Sequence, residues 1–288
     1  MSIKRMMRFA AVAVAGSLLA GPVLAAESHG PKPSAQKWSF DGLFGSYDRA
    51  ALQRGFQVYK EVCASCHGLS LVAYRDLRDI GLSDNQIKEA IKDIQVTDGP
   101  NDAGEMFERP AALSDRFKKP YPNEQAAVAA NGALPPDLSL LAKARIVEEG
   151  SVPVLRSFAA KIRYGGPDYI QGVLTGYKEL DKLPAAEREK YHLPKDFKLA
   201  DGQYFNEYFP GNAIRMPKPL NDGQVTYLDG APNTVDAMSH DVTTFLTWAA
   251  EPRMEQRKQT GVKVILFLLV LAGLMYLVKR KVWANVPH

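Results

Sequence analysis

Apolar residues recur every three or four positions in two stretches of the chain, and each stretch predicts an amphipathic helix. Ser46 or Asp48 is placed to cap the amino end of the first helix. Asn233 or Thr234 has the same position ahead of the second helix. The apolar face of the first helix holds Leu52, Phe56, Tyr59 and Cys63. The apolar face of the second holds Val235, Met238, Val242, Leu246 and Ala249. Pro252 stops or kinks the second helix, because proline has no backbone N–H to donate.

Between these two helices the pattern mixes short helices with irregular stretches. Residues 84–94 and 123–130 predict short helices with polar caps. Glycine, proline and aspartate predict irregular loops over 97–123 and 182–222, and a turn over 165–172. The sequence has no strand-rich region and no internal repeat, so the predicted fold class is mainly α with long loops.

The first 26 residues have the layout of a secretory signal peptide. A basic head over 1–8 precedes an apolar run over 9–20, and small residues end the segment. Such a segment is removed on export, so we expect cleavage after Ala25 or Ala26. The other interpretation is a short buried helix.

A second apolar segment lies near the carboxyl end. Residues 264–278 carry no charge, and the lysine before them can extend its ammonium group towards lipid headgroups, so the span approaches the roughly 20 residues that a bilayer requires. Lys-Arg-Lys follows at 279–281, and positive residues stay on the cytoplasmic side of a membrane. A buried core helix is the alternative. We therefore expect a periplasmic body over 27–258, a transmembrane anchor over 259–281 and a cytoplasmic tail over 282–288.

The formal net charge of +4 belongs to the two ends of the chain. Residues 1–26 contribute +3 and residues 262–288 contribute +4, and neither segment has an acidic residue. The body between them is therefore net acidic. It lacks the basic footprint of a nucleic-acid-binding protein, and we expect no nucleic acid as a partner.

The strongest chemical signal is Cys-Ala-Ser-Cys-His at 63–67, which is the C-x-x-C-H attachment motif for a c-type haem. On a helical turn, Cys63, Cys66 and His67 share one face. The two thiols can then form thioethers with the two vinyl groups of one haem, while the imidazole points at the iron. Gly68 leaves room for the macrocycle to lie close to the backbone.

Three other kinds of site use similar cysteine spacing. A redox-active cysteine pair belongs in a thioredoxin-like βαβ context, which the sequence does not show. A zinc site needs a second pair of ligands, whereas the chain has two cysteines in total. A structural disulfide suits the oxidising periplasm but leaves His67 unexplained.

If His67 is the fifth iron ligand, the sixth position is filled from elsewhere in the chain or stays open. The candidates in the body are Met106, Met216, Met238, Met254, His29, His192 and His240. Met238 lies on the inward face of a predicted helix, where a core role explains it. Met216 lies in an apolar, proline-braced loop that can hold a thioether rigidly. The residues alone leave Met216, a histidine (His192 or His240) and an open position as alternatives.

Several segments in fixed order resemble the cytochrome c1 family of bacterial type, the haem subunits of cytochrome bc1 complexes (ubiquinol–cytochrome c reductases). Besides the haem motif, the segments are 54–59, 131–139, 165–169, 206–214 and 241–248. The resemblance runs from Trp38 to the anchor. It implies a cytochrome c-like haem domain with long loops, one covalently bound haem c and one carboxyl-terminal transmembrane helix.

The resemblance implies that Met216 is the sixth ligand, so His67 and Met216 are the expected metal ligands. It also implies that Arg145 lies beside a haem propionate, with Arg163 as a rival because this chain carries an insert after Arg145. The residues expected to pack around the ring are Ala133, Pro135, Pro136, Tyr169, Phe209 and Ile214. The chain departs from the family at Arg215, where relatives carry a small residue, and it has no further cysteine pair to stiffen the methionine loop.

The resemblance also implies the partners. A Rieske iron–sulfur subunit delivers one electron to the haem, which passes it to a cytochrome c in a respiratory or photosynthetic chain. Cytochrome b is a further partner, the complex is dimeric, and its place is the bacterial inner membrane. The chain itself makes and breaks no substrate bond, so we expect an electron-transfer subunit that is no enzyme by itself.

The residues support the second electron transfer. Residues 78–108 include eight acidic and three basic side chains, and such a face steers a basic cytochrome c towards it. A solvated acidic loop with no partner is the alternative. Two other functions compete with the whole interpretation: an anchored cytochrome c of another electron-transfer complex, and a haem sensor or peroxidase with an open sixth position.

Overall fold

The computed structural model describes residues 33–145, 165–194 and 196–286. The predicted signal peptide and Arg163 lie outside these ranges. The helices are α1 (Arg49–Glu61), α2 (Asp84–Ile91), α3 (Glu124–Asn131), α4 (Leu141–Ala144), α5 (Gly165–Thr175), α6 (Ala185–Lys190), α7 (Val235–Ala250) and α8 (Met254–Val282). Two antiparallel strand pairs accompany them, β1 (Gln95–Asp98) with β2 (Phe107–Pro110) and β3 (Tyr204–Phe205) with β4 (Ala213–Ile214). The prediction of a mainly α fold is confirmed.

Helix α1 forms where its periodicity predicts, and Asp48 is its cap. The Asp48 carboxylate accepts hydrogen bonds from the N–H groups of Ala50 and Ala51, at 2.9 and 3.3 Å, which satisfies two of the unpaired donors at the helix start. The buried residues of α1 are Ala51, Leu52, Gly55, Phe56, Val58 and Tyr59. The helix ends at Glu61, so Cys63 lies just after it rather than on its face.

Helices α1 and α7 cross at Gly55. A methyl group built on Gly55 would lie 2.1 Å from the backbone oxygen of Asp241, so the two backbones approach more closely than any side chain allows. Arg54, one residue earlier, donates to both carboxylate oxygens of Asp241 at 2.7 and 3.2 Å. A glycine contact and a two-point ion pair therefore fix the central crossing of the domain.

Helix α7 has the predicted cap, and its predicted inward residues Met238, Val242, Leu246 and Ala249 are buried. The helix is not amphipathic over its second half, because residues 241–250 are buried on every side. The Thr234 hydroxyl accepts from the N–H of Ala237, and the helix ends at Ala250, two residues before Pro252. Its aromatic residue Phe245 packs between Phe56 and Tyr59 of α1, with ring centroids 5.7 and 5.8 Å apart. This aromatic core lies directly beneath the turn that carries the two cysteines.

Three predictions for the irregular regions were wrong. Residues 165–172 form most of α5 instead of a turn, because Pro167 is tolerated in a first helical turn and Gly166 lets α5 touch α4. A methyl group on Gly166 would lie 1.8 Å from the Ala142 oxygen. The stretch 97–123 contributes to the β1–β2 hairpin, and 182–222 contains α6 and both strands of the second pair. These short helices and strands were not predicted, because the glycine, proline and aspartate residues in them are typical of turns.

Helix α8 begins on the domain and continues into the apolar segment. It starts at Met254, which is buried, five residues before the predicted anchor. Its most apolar 18 residues have a mean hydropathy of 2.5 and none of that stretch is buried, so the helix is long and apolar enough to cross a membrane.

The first turns of α8 are fastened to the loop that precedes α1. Lys258 is buried, and its ammonium group donates to the backbone oxygens of Phe40 and Gly45 at 2.6 and 3.2 Å. The carboxylate of Glu255 accepts from the N–H of Tyr47 at 2.7 Å and pairs with Arg49 at 2.8 Å. The anchor helix therefore has a fixed direction relative to the domain.

Candidate functional site

The C-x-x-C-H motif lies in a short 3₁₀ turn, Cys63–Ser65, just after α1. The N–H groups of Cys66 and His67 both donate to the carbonyl oxygen of Cys63, at 3.1 and 2.9 Å. These two bonds close the turn tightly, so both thiols and the imidazole come from one turn of chain. This is the arrangement that two vinyl groups and the iron of one haem require.

The two cysteines are free thiols in the structure. Burial, with a smaller contribution from Cys66, raises the pKa of the Cys63 thiol to about 12. The attacking cysteine of a redox-active pair needs the opposite, a lowered pKa that yields a thiolate at neutral pH. The chemistry of Cys63 therefore disfavours the thioredoxin-like alternative.

One hydrogen bond orients the imidazole of His67. Its Nδ1 atom lies 2.8 Å from the carbonyl oxygen of Pro136. Because a carbonyl oxygen can only accept, Nδ1 carries the proton and Nε2 keeps the lone pair that a metal needs. Burial lowers the pKa of His67, against the opposing effects of the Pro136 hydrogen bond and the charge of Asp137, so the ring is neutral at pH 7. The residues present therefore fit a haem whose iron binds Nε2.

The segment 136–139 is itself fastened to the residues that follow the motif. The N–H of Leu138 donates to the Gly68 oxygen at 2.9 Å, and the carboxylate of Asp137 accepts from the N–H groups of Ser70 and Ser139, each at 2.9 Å. Burial raises the pKa of the Asp137 carboxyl, but the hydrogen bonds from Ser139 and Ser70 outweigh it, and the net pKa is lowered. Sequence reasoning missed this brace, although the resemblance included 131–139.

Asp137→Asn is expected to lower the free energy of unfolding by about 1 kcal/mol at neutral pH, because an amide nitrogen cannot accept the hydrogen bond that Ser70 donates. The folded-state pKa of Asp137 is lowered, so its stabilisation is complete above the unfolded pKa of about 4 and is lost as pH falls through the lower folded value. Denaturant unfolding near neutral and near pH 3 measures the difference. A gap from the wild type that stays constant with pH would contradict this role, and Asp79→Asn on the open surface is the control.

Met216 lies just after β4 and is half-buried against the core. The hydroxyl of Tyr177 donates to the Met216 carbonyl oxygen at 3.0 Å. Burial raises the pKa of Tyr177, so the hydroxyl keeps its proton and its role as a donor at neutral pH. The methionine backbone is therefore fixed by a residue that sequence reasoning did not single out.

The rival ligands have other environments. His192 is exposed and has a left-handed backbone with a φ of 52°. The ring of His240 stacks on Trp38, with centroids 4.6 Å apart and an interplanar angle of 15°. Met238 is fully buried in the core, as its position on α7 predicts. Met254 is also buried, and Met106 is 60% exposed on the loop between β1 and β2. His29 lies outside the described ranges, and Met216 is half-buried in a loop whose backbone is held by Tyr177.

Arg215 joins the methionine loop to the segment that leads to Pro136. A methyl group built on Gly132 would lie 3.1 Å from Nη1 of Arg215, and the same nitrogen donates to the Asp201 oxygen at 3.4 Å. Arg215, one residue before Met216, therefore lies over Gly132. The guanidinium lies between the loop of the proposed sixth ligand and the segment that orients the fifth.

Arg145 and Tyr169 are brought together by the packing of α4 on α5. Burial raises the pKa of the Tyr169 phenol, and the positive charge of Arg145 opposes that rise, so the two side chains lie within electrostatic reach. Arg145 is exposed and follows the last turn of α4. A cation and a phenol that lie close together can both bind a carboxylate such as that of a haem propionate.

The other residues expected around the ring belong to two braced loops. Asn206 is fully buried, its side-chain oxygen accepts from the N–H of Phe209 at 3.1 Å, and its amide donates to the Val173 oxygen at 2.7 Å. Ile214 is buried and pairs with β3, while Pro135 is half-buried. Ala133 is also half-buried, and Pro136 is exposed.

Comparison with known proteins agrees with these observations. The family model described as "Cytochrome C1 family" matches residues 38–286. The chain belongs to the cytochrome c1 family. It is 44% identical over 283 residues to "Cytochrome c1" of Rhodospirillum rubrum, covering 96% of this chain and 97% of that protein. It is 42% identical over 273 residues to "Cytochrome c1, heme protein, mitochondrial" of Saccharomyces cerevisiae, covering 94% of this chain and 78% of that protein.

One further relative is a larger protein. The chain is 50% identical over 281 residues to "Cytochrome b/c1" of Bradyrhizobium diazoefficiens, which covers 96% of this chain but 39% of that protein. In that relative the matched region is therefore one part of a longer polypeptide.

Proposed function

We propose that the chain is a membrane-anchored electron carrier with one haem c, bound covalently through Cys63 and Cys66. His67 provides the fifth iron ligand through Nε2, and Met216 provides the sixth through its thioether. The haem, when bound, supplies an iron that cycles between two oxidation states. The chain's own residues would attach the haem, orient the imidazole and offer the Met216 thioether, and apolar side chains near the haem would favour its reduced state.

The observation that carries this proposal is the hydrogen bond between His67 and Pro136. It leaves Nε2 as an unprotonated ligand atom, in a turn that also presents two unpaired thiols. A structural disulfide or a redox-active pair has no need for an oriented, neutral imidazole beside it. Membership of the cytochrome c1 family supports a role as a haem subunit.

Absorbance spectra of the purified full chain test the ligand assignment. A methionine-ligated ferric haem has a weak far-red band, and a closed site leaves the ferrous spectrum unchanged when carbon monoxide is added. If the wild-type protein lacks that band and binds carbon monoxide, the alternative is favoured, namely a haem sensor or peroxidase with an open sixth position.

We propose that the chain works as the haem subunit of a bc1 complex. Its relatives include the "Cytochrome b/c1" named above and the "Cytochrome b-c1 complex catalytic subunit, mitochondrial" of Candida albicans, 41% identical over 273 residues. In this role the chain takes one electron from a Rieske iron–sulfur subunit beside cytochrome b, in a dimeric complex, and leaves quinol chemistry to those partners. Co-purification with a cytochrome b and an iron–sulfur subunit supports this role. Their absence from a mild detergent extract would favour an anchored cytochrome c of another complex.

The anchor gives the proposed location. Helix α8 is long and apolar enough to cross a membrane, and Lys279, Arg280 and Lys281 form its last turn. Positive residues stay in the cytoplasm, so the haem domain lies in the periplasm of a bacterial inner membrane. Protease added to intact spheroplasts tests the orientation, since it should digest the domain and spare the tail.

The acceptor is proposed to be a basic cytochrome c that docks on the acidic segment 78–108. The chain on the two sides of this segment is held together, because Ala73 and Arg116 form an antiparallel bridge. Cations pair with three of its acidic residues, Asp84, Glu89 and Asp98. Asp79, Asp93, Asp102, Glu105 and Glu108 have no ion pair to any residue that the structure describes. These five leave a net negative, exposed surface.

Raising the ionic strength is expected to slow reduction of a basic cytochrome c several-fold, because salt screens the attraction that steers encounter. Replacing Asp102 and Glu105 by their amides should slow the reaction at low salt and flatten its salt dependence. Stopped-flow reduction measures both effects, with the amides of Glu179 and Asp181 on another surface as the control pair. Equal rates across salt concentrations would contradict docking on this segment.

Arg145→Gln is expected to lower the reduction potential. Removing a positive charge beside a haem propionate would destabilise the more negative, reduced state, and because Arg145 is exposed and screened by solvent the expected shift is on the order of tens of mV. A redox titration of the variant measures the shift. Arg163→Gln is the comparison: a larger shift there than at Arg145 would assign the propionate contact to the rival arginine.

A further inference from the structure

The loop between Phe40 and Tyr47 is a closed turn beside the start of the anchor helix. The N–H of Ser46 donates to the Ser39 oxygen at 3.1 Å, which brings the two ends of the loop together. Lys258 binds the loop from the helix side through two carbonyl oxygens. The conformation of this loop is therefore fixed against α8 by bonds at its base.

The tip of this loop is apolar and projects from the domain. Phe44 is 83% exposed and Leu43 is 45% exposed. Both side chains line a groove of about 410 Å³ whose opposite wall is the anchor helix, including Gln259, Val262 and Lys263. The exposure of two large neighbouring apolar side chains to water is unfavourable, because transfer of apolar surface out of water lowers the free energy.

The height of the tip relative to the anchor indicates what covers it. The tip faces Val262 and Lys263 across the groove, and these two residues come immediately before the charge-free run that starts at Val264. Val264 and Ile265 are themselves exposed, as expected for side chains that face lipid. The apolar surface of the loop is thus continuous with the apolar surface of the anchor, at the level where headgroups meet acyl chains.

We propose that this loop is a second membrane contact, in which Leu43 and Phe44 insert into the interfacial region of the periplasmic leaflet. Lys263 lies beside them, and its ammonium group can reach the lipid phosphates there. The inference rests on the proposed membrane anchor and extends it. The domain would contact the bilayer through both α8 and this loop, which would restrict its tilt relative to the membrane surface.

Spin labels read by electron paramagnetic resonance test the proposal on the full haem-loaded chain in phosphatidylcholine–phosphatidylglycerol nanodiscs. With Cys63 and Cys66 attached to haem, a single introduced cysteine is the one thiol available to the label. Phe44→Cys and Leu43→Cys probe the loop, and Leu268→Cys probes the anchor. Leu228→Cys is the control, because Leu228 is a fully exposed apolar residue elsewhere on the domain.

The labels on the loop are expected to collide several-fold more often with lipid-soluble oxygen than the Leu228 label does, and less often with a water-soluble nickel chelate. Loop labels that match Leu228 while the Leu268 label reports lipid would overturn the proposal and leave the anchor intact. A Leu268 label in water would refute the anchor itself. In the assembled complex, shielding of the loop from both reagents would overturn the proposal in favour of a neighbouring subunit.

Discussion

Met216→Leu is expected to lower the reduction potential of the haem by on the order of 200 mV and to open its sixth position. Leucine has about the same volume but no donor atom, so the thioether that stabilises the reduced iron is lost while the loop remains. Tyr177 still holds the backbone of the loop through the carbonyl oxygen of residue 216. Redox titration gives the potential, and the ferrous protein should now bind carbon monoxide.

Met238→Leu is the matched control for this substitution. Met238 lies on α7 and is fully buried in the hydrophobic core, so the same change should alter neither the reduction potential nor the spectrum. If Met216→Leu also kept the far-red band and the wild-type potential, the sixth ligand would be another residue. His192→Ala and His240→Ala would then identify it.

Gly55→Ala is expected to destabilise the domain by about 3 kcal/mol or more. The added methyl group would lie 2.1 Å from the Asp241 oxygen, and the neighbouring atoms are backbone and the Cβ of Phe245, which cannot rotate away. Helices α1 and α7 must separate, and the bond between Arg54 and Asp241 weakens with them. Denaturant unfolding followed by circular dichroism measures the loss.

Gly261→Ala provides the comparison for Gly55. It is also a helical glycine, but a methyl group built there meets nothing within 4 Å. Alanine is preferred to glycine in a helix by about 1 kcal/mol, so this variant should be unchanged or slightly more stable. Equal stability of the two variants would mean that the crossing at Gly55 tolerates an added side chain.

The amphipathic elements of the fold were predictable because their periodicity and caps are local properties of the sequence. The cap at Asp48, the inward face of α7 and the glycine end of α3 at Gly132 all follow from residues within one helix. Helix α5 was not predictable in the same way. Its glycines suggest a turn until the packing partners are known, because Gly166 contacts Ala142 of α4 and Gly172 contacts Pro33 and Tyr208.

In the candidate site, too, local features were predictable from the sequence and contacts between distant residues were not. The motif at Cys63, Cys66 and His67 is contiguous, so its chemistry can be read directly from the sequence. The Pro136 carbonyl that orients His67 comes from 69 residues away, and no side-chain pattern marks a backbone oxygen as an acceptor. Tyr177 and Asp137 were missed for the same reason, since Tyr177 bonds to the backbone of Met216 and Asp137 to that of Ser70, both far away in the sequence.

Lys258 and Glu255 attach the anchor helix to the loop before α1, so the helix is a rigid extension of the domain and not a flexible linker. A domain on a flexible linker samples many orientations, and its redox centre is presented correctly for only a fraction of the time. Here the direction of the domain is set once, when α8 folds against Phe40 and Tyr47. If α8 is the membrane anchor, these contacts hold the domain in one orientation relative to that helix.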